Sequence, residues 1–155
     1  MIKSKRFLIV IIVFVLIYIV YTFPENLISK KVKNDVSLIK ITKVIIHPGF
    51  NGGSDIKYYD ISSKDKILKF IDDLSNEKIS KKFITSIKST STDITTYFIV
   101  NMYNSESETL VDNFTLYRSV NKYEINKENI SLDFERPYYK CNGEAVYNYL
   151  NGFFE

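Results

Sequence analysis

The chain has 155 residues, a formal charge of +3, one Cys, one His and no Trp. This length fits a single domain. One Cys excludes a disulfide framework and a multi-cysteine zinc site, and one His excludes the multi-histidine zinc sites of hydrolases.

An apolar run without charge, residues 7–23, follows a basic flank, residues 1–6, that contains Lys3, Lys5 and Arg6. As a helix this run measures about 26 Å, at the short end of what crosses a ~30 Å hydrocarbon core. No small-residue cleavage site follows it, so we predict an uncleaved transmembrane anchor. A cleaved signal peptide and a buried soluble helix are the alternatives.

The basic flank also predicts the orientation of the anchor. Positive charge next to an apolar helix stays in the cytoplasm, so residues 37–155 are expected to form an extracytoplasmic domain of a single-pass membrane protein. A domain that faces the cytoplasm is the alternative topology.

The rest of the charge is balanced, because all 18 acidic residues and the other 18 basic residues follow the apolar run. A neutral domain argues against nucleic acid as a partner. Residues 24–36 are predicted to form a polar tether, and three of its lysines are candidate contacts for anionic lipid headgroups: Lys30, Lys31 and Lys33.

The first half of the domain reads as a hairpin followed by a helix. Residues 37–47 and 55–61 are rich in β-branched side chains and flank an Asn-Gly-Gly turn, which predicts two paired strands. Ser62 and Asp65 then have the spacing of a helix N-cap. The helix is predicted to end at Asn76, and its apolar stripe comprises Ile67, Leu68, Ile71 and Leu74.

The second half is predicted to be mostly strands. A long loop, 77–93, precedes the strand 94–103, whose two alternating sets of side chains are both largely apolar. This strand is therefore expected to be central and covered on both faces. Further strands at 109–118, 122–125 and 130–136 and a final helix at 144–151 complete the chain.

The order β-β-α-β-β-β-β-α predicts an α+β domain. We expect one mainly antiparallel sheet with two helices on one of its faces, after the N-terminal transmembrane helix.

The chain resembles a group of small membrane-anchored or lipidated proteins of unknown function from low-GC Gram-positive bacteria. The matching stretches are Val36-Ser37-Leu38, Lys64 to Asn76, Thr96-Tyr97-Phe98 and Arg136-Pro137-Tyr138-Tyr139. The resemblance implies a location at the membrane and a small single domain, and it implies no activity.

Catalytic motifs are weak in this sequence. A Ser–Lys hydrolase site is the enzymatic alternative, and the S-x-x-K spacing occurs at Ser37/Lys40, Ser54/Lys57, Ser63/Lys66 and Ser75/Lys78. Other single candidates are His47, Cys141 and the carboxylates of Asp72, Asp73 and Glu77. We expect a turn or surface histidine, a half-buried or surface thiol and carboxylates on a solvated helix face, respectively. No EF-hand loop, phosphate-binding loop or dinucleotide fingerprint is present, so we predict no cofactor, no metal and no catalytic residue.

The aromatic residues are the remaining signal. Tyr138 and Tyr139 beside Pro137 are the best candidates for an exposed interaction patch, because tyrosine is large, stiff and polar at its tip. The sequence predicts a membrane-anchored interaction module with an accessory, regulatory or immunity-like role, which binds a protein or a component of the cell envelope.

Overall fold

The computed structural model describes residues 2–47, 52–81, 94–104, 106–119, 123–126, 139–140 and 142–155. Its helices are α1 (Ile2–Thr22), a 3₁₀ helix (Lys30–Asn34), α2 (Lys64–Ser75) and α3 (Gly143–Asn151). Its strands are β1 (Glu25–Asn26), β2 (Leu38–Ile46), β3 (Ser54–Ile61), β4 (Lys78–Lys81), β5 (Ile94–Asn104), β6 (Thr109–Ser119), β7 (Tyr123–Asn126) and β8 (Tyr139–Lys140). The chain is therefore an α+β protein, as its sequence predicts.

The strands form one sheet in the order β1-β4-β8-β7-β6-β5-β2-β3, and all described neighbours are antiparallel. The predicted hairpin is confirmed, because β2 and β3 pair from Ile39–Ile61 to Ile46–Ser54. The predicted strand 130–136 and residues 82–93 of the predicted loop lie outside the described residues. The beginning of that loop is β4, which pairs with both β1 and β8.

Helix α2 forms where its apolar stripe predicts it. Ile67, Ile71 and Leu74 are buried, and Phe70 widens the buried stripe beyond the predicted residues. The N-terminus of the helix differs from the prediction by one residue. Ser63 is the N-cap, and its side chain makes no capping hydrogen bond.

Helices α2 and α3 pack against each other and against the same face of the sheet. The rings of Phe70 on α2 and Tyr149 on α3 lie 5.7 Å apart, and the Phe98 ring of β5 lies 5.4 Å from that of Tyr147 on α3. Lys43 of β2 donates a hydrogen bond to Asn151 at 2.5 Å. The strand residues of this core are Ile39, Ile41, Ile61, Ile79, Phe98, Val100, Met102, Phe114, Leu116 and Ile125.

The predicted tether, 24–36, is instead part of the domain. Strand β1 pairs with β4, and Leu27 and Ile28 are completely buried in the core. Lys33 of the 3₁₀ helix forms an ion pair with Asp72 of α2. Two adjacent apolar residues are too short a signal to predict a strand. Their burial nevertheless stabilises the packing of this segment against the domain.

The prediction that β5 is a central strand is confirmed. The prediction that both of its faces are covered is wrong. Phe98, Val100 and Met102 are buried under the helices. The opposite set, which includes Tyr97 and Ile99, remains half-buried, and no described helix contributes to the core on that side. The apolar pattern on both faces therefore reflects one buried face and one face with large, partly exposed side chains.

Helix α1 contributes none of its described side chains to the core. The predicted helical state of the run 7–23 is confirmed for residues 7–22. All its side chains from Phe7 to Val20 are between 43% and 76% exposed. Among the residues that the structure describes, no helix is both long enough and apolar enough to span a membrane. The anchor itself stays a prediction.

Candidate functional site

The predicted aromatic patch falls largely outside the described residues. Pro137 and Tyr138 lie outside them, as does Cys141. Tyr139 is the first residue of β8, where its backbone is opposite Lys81 of β4 and Ile125 of β7. The patch stays a prediction.

The three candidate headgroup lysines have different surroundings. Lys30 and Lys31 are exposed. The ammonium of Lys33 instead donates a hydrogen bond to the Asp72 carboxylate at 2.7 Å. Two of the three charges are therefore available to a negatively charged surface, and the third stabilises the contact between the 3₁₀ helix and α2.

His47 and the candidate carboxylates occupy separate places. The His47 Nε2 lies 3.0 Å from the Asp55 carboxylate at the exposed end of the β2–β3 hairpin. The Asp72 carboxylate faces Lys33, and that of Asp73 faces the Tyr149 hydroxyl. Among the described residues, no group of three or more His, Cys, Asp and Glu side chains could hold a metal ion.

The Ser–Lys pairs lack the environment that this chemistry needs. A lysine that acts as a general base must be buried so that its pKa falls. All four candidate lysines are exposed, namely Lys40, Lys57, Lys66 and Lys78. The hydrolase alternative therefore gains no support from their surroundings.

One candidate surface is the sheet face opposite the helices, which we call the open face. The pairing registers place alternate residues of four neighbouring strands on it. Its exposed large hydrophobic side chains include Tyr58 (73%), Ile56 (50%) and Leu110 (42%). Its other main members are Leu38, Lys40, Ile46, Tyr97, Ile99, Asn101, Tyr103, Asn113 and Tyr117.

Contacts across the strands hold several side chains of the open face in place. The rings of Tyr97 and Tyr117 lie 6.0 Å apart as a cross-strand pair, and the Lys40 ammonium lies 5.7 Å from the centre of the Tyr103 ring. At the centre of the face, the Oδ1 of Asn101 is buried without a hydrogen-bond partner among the described residues. Such an atom costs about 1–3 kcal/mol.

A second candidate surface is a cavity of about 380 Å³ where β3, α2 and the C-terminus meet, which we call the ring groove. Its residues are Tyr59, Lys66, Lys69, Tyr149, Gly152 and Phe153. Three of them are aromatic, two are cationic, and the glycine leaves part of the wall without a side chain. This volume is in the range of small-molecule sites.

The walls of the ring groove are fixed by ring contacts. The Phe153 ring lies 5.2 Å from that of Tyr59 and 5.5 Å from that of Tyr149. Phe70, which is buried below, contacts Phe153 at 5.9 Å between ring centres. Since each ring packs against another, the groove is formed before any ligand binds.

Burial raises the pKa of the Tyr149 phenol above its ordinary value, and the nearby Asp73 carboxylate raises it further. The folded protein therefore holds a proton that the unfolded chain releases near pH 10. This contribution to stability is complete below about pH 10 and is lost as the pH rises above it.

We expect Tyr149→Phe to make the free energy of unfolding less steeply dependent on pH above about pH 10. The measurement is chemical unfolding at several pH values between 8 and 12, with Tyr58→Phe as the exposed control. Equal slopes for Tyr149→Phe and the parent protein would contradict the raised pKa.

The residues that form the two candidate surfaces were not predicted as site residues from the sequence. The open face had a signal, namely the second apolar set of residues 94–103, but this was interpreted as a buried face. The ring groove had none, because its residues come from two segments, 59–69 and 149–153, that are distant in sequence.

Searches against protein families, curated proteins and solved structures find no match for this chain. The resemblance to small membrane-anchored proteins stays a prediction.

Proposed function

We propose that this protein is a membrane-anchored interaction module, in which α1 lies in a lipid bilayer and the open face binds another protein. The observation that carries the proposal is the exposed apolar surface of α1. The role of the module is accessory, regulatory or immunity-like, and the identity of its partner decides between these roles.

The exposure of α1 extends around the whole helix. An amphipathic helix that docks on a protein has one apolar face, whereas every side chain from Phe7 to Val20 is apolar or aromatic and exposed. Such a surface is costly in water at about 25 cal/mol per Å². Lipid removes this cost on all sides of the helix at once.

The length of the apolar run is compatible with lipid insertion. At about 26 Å it is slightly shorter than a ~30 Å hydrocarbon core. A bilayer adapts to such a difference by local thinning, and long basic side chains reach the interface. In the sequence, Lys3, Lys5 and Arg6 precede the apolar run. Tyr18, Tyr21 and Phe23 are near its other end, and aromatic residues of this kind are enriched at the interface.

The connection between α1 and the domain is short. Only Phe23 and Pro24 separate α1 from β1, and Leu27 and Ile28 are then buried in the core. A protein anchored through α1 would therefore hold its domain close to the lipid. The exposed Lys30 and Lys31 would then lie near anionic headgroups, each contributing about 1 kcal/mol.

The composition of the open face favours a protein as its partner. Tyrosines are enriched in the centres of protein interfaces, and four lie on this face: Tyr58, Tyr97, Tyr103 and Tyr117. The polar residues between them offer hydrogen bonds that would fix the position of a protein partner on this face. A partner that donates a hydrogen bond to Asn101, after rotation of its amide, would satisfy the buried oxygen.

We expect Val13→Lys to release the protein from membranes. A lysine at the centre of an inserted helix costs about 2.5–3.5 kcal/mol. The measurement is the share of full-length protein that sediments with membranes after alkaline carbonate extraction. Ile56→Lys is the matched control, because Val13 and Ile56 are 47% and 50% exposed, respectively.

Two results would oppose the anchor. Release of the parent protein by carbonate would show that α1 is not inserted. If the Ile56→Lys variant is released from membranes and the Val13→Lys variant is retained, the open face and not α1 contacts lipid.

The side of the membrane is tested by labelling intact cells with an impermeant maleimide. The protein carries Cys141→Ser and Ser107→Cys, because Ser107 is exposed in the turn between β5 and β6. Labelling in intact cells supports the extracytoplasmic orientation that we propose. Labelling only after lysis would place the domain in the cytoplasm.

The open face is tested by a photoreactive residue at the position of Tyr58, with Glu106 of the β5–β6 turn as the exposed control position. We expect one discrete protein adduct from the first position, which Ile56→Lys abolishes. The same adducts from both positions would contradict a role of the open face. An adduct of two protomers would identify a second copy as the partner.

A further inference from the structure

We propose that the ring groove binds a small organic anion with a flat aromatic body. The proposal rests on the groove between β3, α2 and the C-terminus, whose walls combine stacked rings with two lysines. It is independent of the anchor and of the open face.

The walls favour a flat apolar body. Tyr59, Tyr149 and Phe153 present ring surfaces that the core holds in place, and their mutual distances of 5.2 and 5.5 Å leave them little freedom. An aromatic ligand therefore loses less free energy in ordering the site than it would on flexible side chains. Contacts between aromatic rings also stabilise a complex beyond the area that they bury.

The charge of the groove favours an anion. Lys66 and Lys69 are three residues apart on α2, so both ammonium groups project from the same side of the helix. Both are exposed, and the structure records no ion pair for either of them among the described residues. A carboxylate, sulfonate or phosphate on the ligand would complement these two charges.

Carboxylates of α2 and of the C-terminus limit this attraction, and Asp65 and Asp73 are each four residues from Lys69 along α2. Asp73 lies beside the Tyr149 hydroxyl, and Glu155 accepts a hydrogen bond from the Asn151 amide at 2.5 Å. Both therefore have a donor within the fold, whereas the lysines retain their charge for a ligand. Neither carboxylate is among the residues that form the groove.

The open wall at Gly152 gives a direct way to block the groove. Its φ of −61° is compatible with any residue, and within the part of the chain that the structure describes an added Cβ would approach nothing closer than the Tyr149 carbonyl oxygen at 3.5 Å. The Gly152→Leu variant is therefore expected to fold normally, and its leucine side chain is expected to extend into the groove.

The test is calorimetric titration of the full-length protein in detergent with 2-naphthoate and with the neutral, similarly shaped 2-naphthamide. Heats of titration into detergent alone are subtracted. We expect 2-naphthoate to bind about five- to twenty-fold more tightly than the amide, since each exposed ion pair contributes about 0.2–1 kcal/mol.

Variants locate the binding. Lys66→Gln and Lys69→Gln are each expected to weaken 2-naphthoate two- to five-fold and to leave the amide unchanged. Gly152→Leu is expected to abolish binding of both compounds. Lys64→Gln is the matched control, because Lys64 is an exposed lysine of α2 that is not part of the ring groove.

The proposal is overturned by no measurable binding of 2-naphthoate, by equal affinity for the two compounds, or by variants that bind as the parent protein does. Each variant is first shown to unfold at the parent's temperature, so that a loss of binding reports the groove and not the fold.

Discussion

We expect Gly143→Ala to lower the free energy of unfolding by about 3 kcal/mol. Gly143 is the first residue of α3 and is buried against β7. A Cβ at this position would overlap the Cβ of Tyr123 and lie 3.3 Å from its Cα. Neither atom can rotate away, so α3 or β7 must move, and overpacking of this kind costs about 1–3 kcal/mol.

The measurement is chemical unfolding of the full-length protein in detergent, followed by near-ultraviolet circular dichroism of the tyrosines. Gly152→Ala is the matched control, because it makes the same substitution at the other end of α3 with only ordinary contacts. A loss of less than 1 kcal/mol in Gly143→Ala would mean that α3 does not approach β7 as closely as described.

The elements that the sequence predicts well are those with a long periodic signal. The stripe of α2 repeats at helical spacing over about two turns, and the two sides of the β2–β3 hairpin flank a clear turn signal. In both cases the local preference and the tertiary packing agree. Their bounds are therefore correct within one or two residues.

The elements that the sequence misses depend on contacts between distant segments. Glu25 and Asn26 become a strand only because Ile79 and Lys78 of β4 lie opposite them. The burial of Leu27 and Ile28 then makes a predicted tether part of the core. No pattern within residues 24–36 contains that information.

The strand β5 shows a different limit of sequence reasoning. Apolar side chains on both faces of a strand predict burial on both faces. Tyr97, Ile99 and Tyr103 are only half-buried, however, because tyrosine and isoleucine also suit an open sheet surface. Hydrophobic alternation indicates which side chains are stabilised by burial. The arrangement of the helices decides which face of the sheet is buried.

The candidate sites follow the same rule. Headgroup contacts through Lys30 and Lys31 could be proposed from sequence because they depend on proximity to the apolar run. The ring groove could not, since Tyr59, Lys66 and Phe153 come together only after α2 and α3 pack on the sheet. Its aromatic residues are indistinguishable in sequence from those that fill the core.

Phe70→Ala is expected to lower the free energy of unfolding by about 3–5 kcal/mol, the largest loss that we predict. Its side chain is 1% exposed and contacts Tyr149 and Phe153 at 5.7 and 5.9 Å between ring centres. Truncation removes the buried ring and leaves a cavity between the two helices and the sheet. For a domain with a total stability of about 5–15 kcal/mol, this is a large share.

The same unfolding measurement tests this expectation, with Tyr58→Ala as the control that removes an exposed aromatic ring. We expect a loss of less than about 1 kcal/mol from the control, because Tyr58 is 73% exposed on the edge strand β3.

Phe70→Leu separates the effect of the ring on stability from its effect on the ring groove. It refills most of the cavity, so most of the stability returns, but it supports Phe153 and Tyr149 less well. Phe70→Leu is therefore expected to bind 2-naphthoate more weakly than the parent protein while it remains folded. Equal losses of stability in Phe70→Ala and Tyr58→Ala would refute the central position of Phe70 in the core.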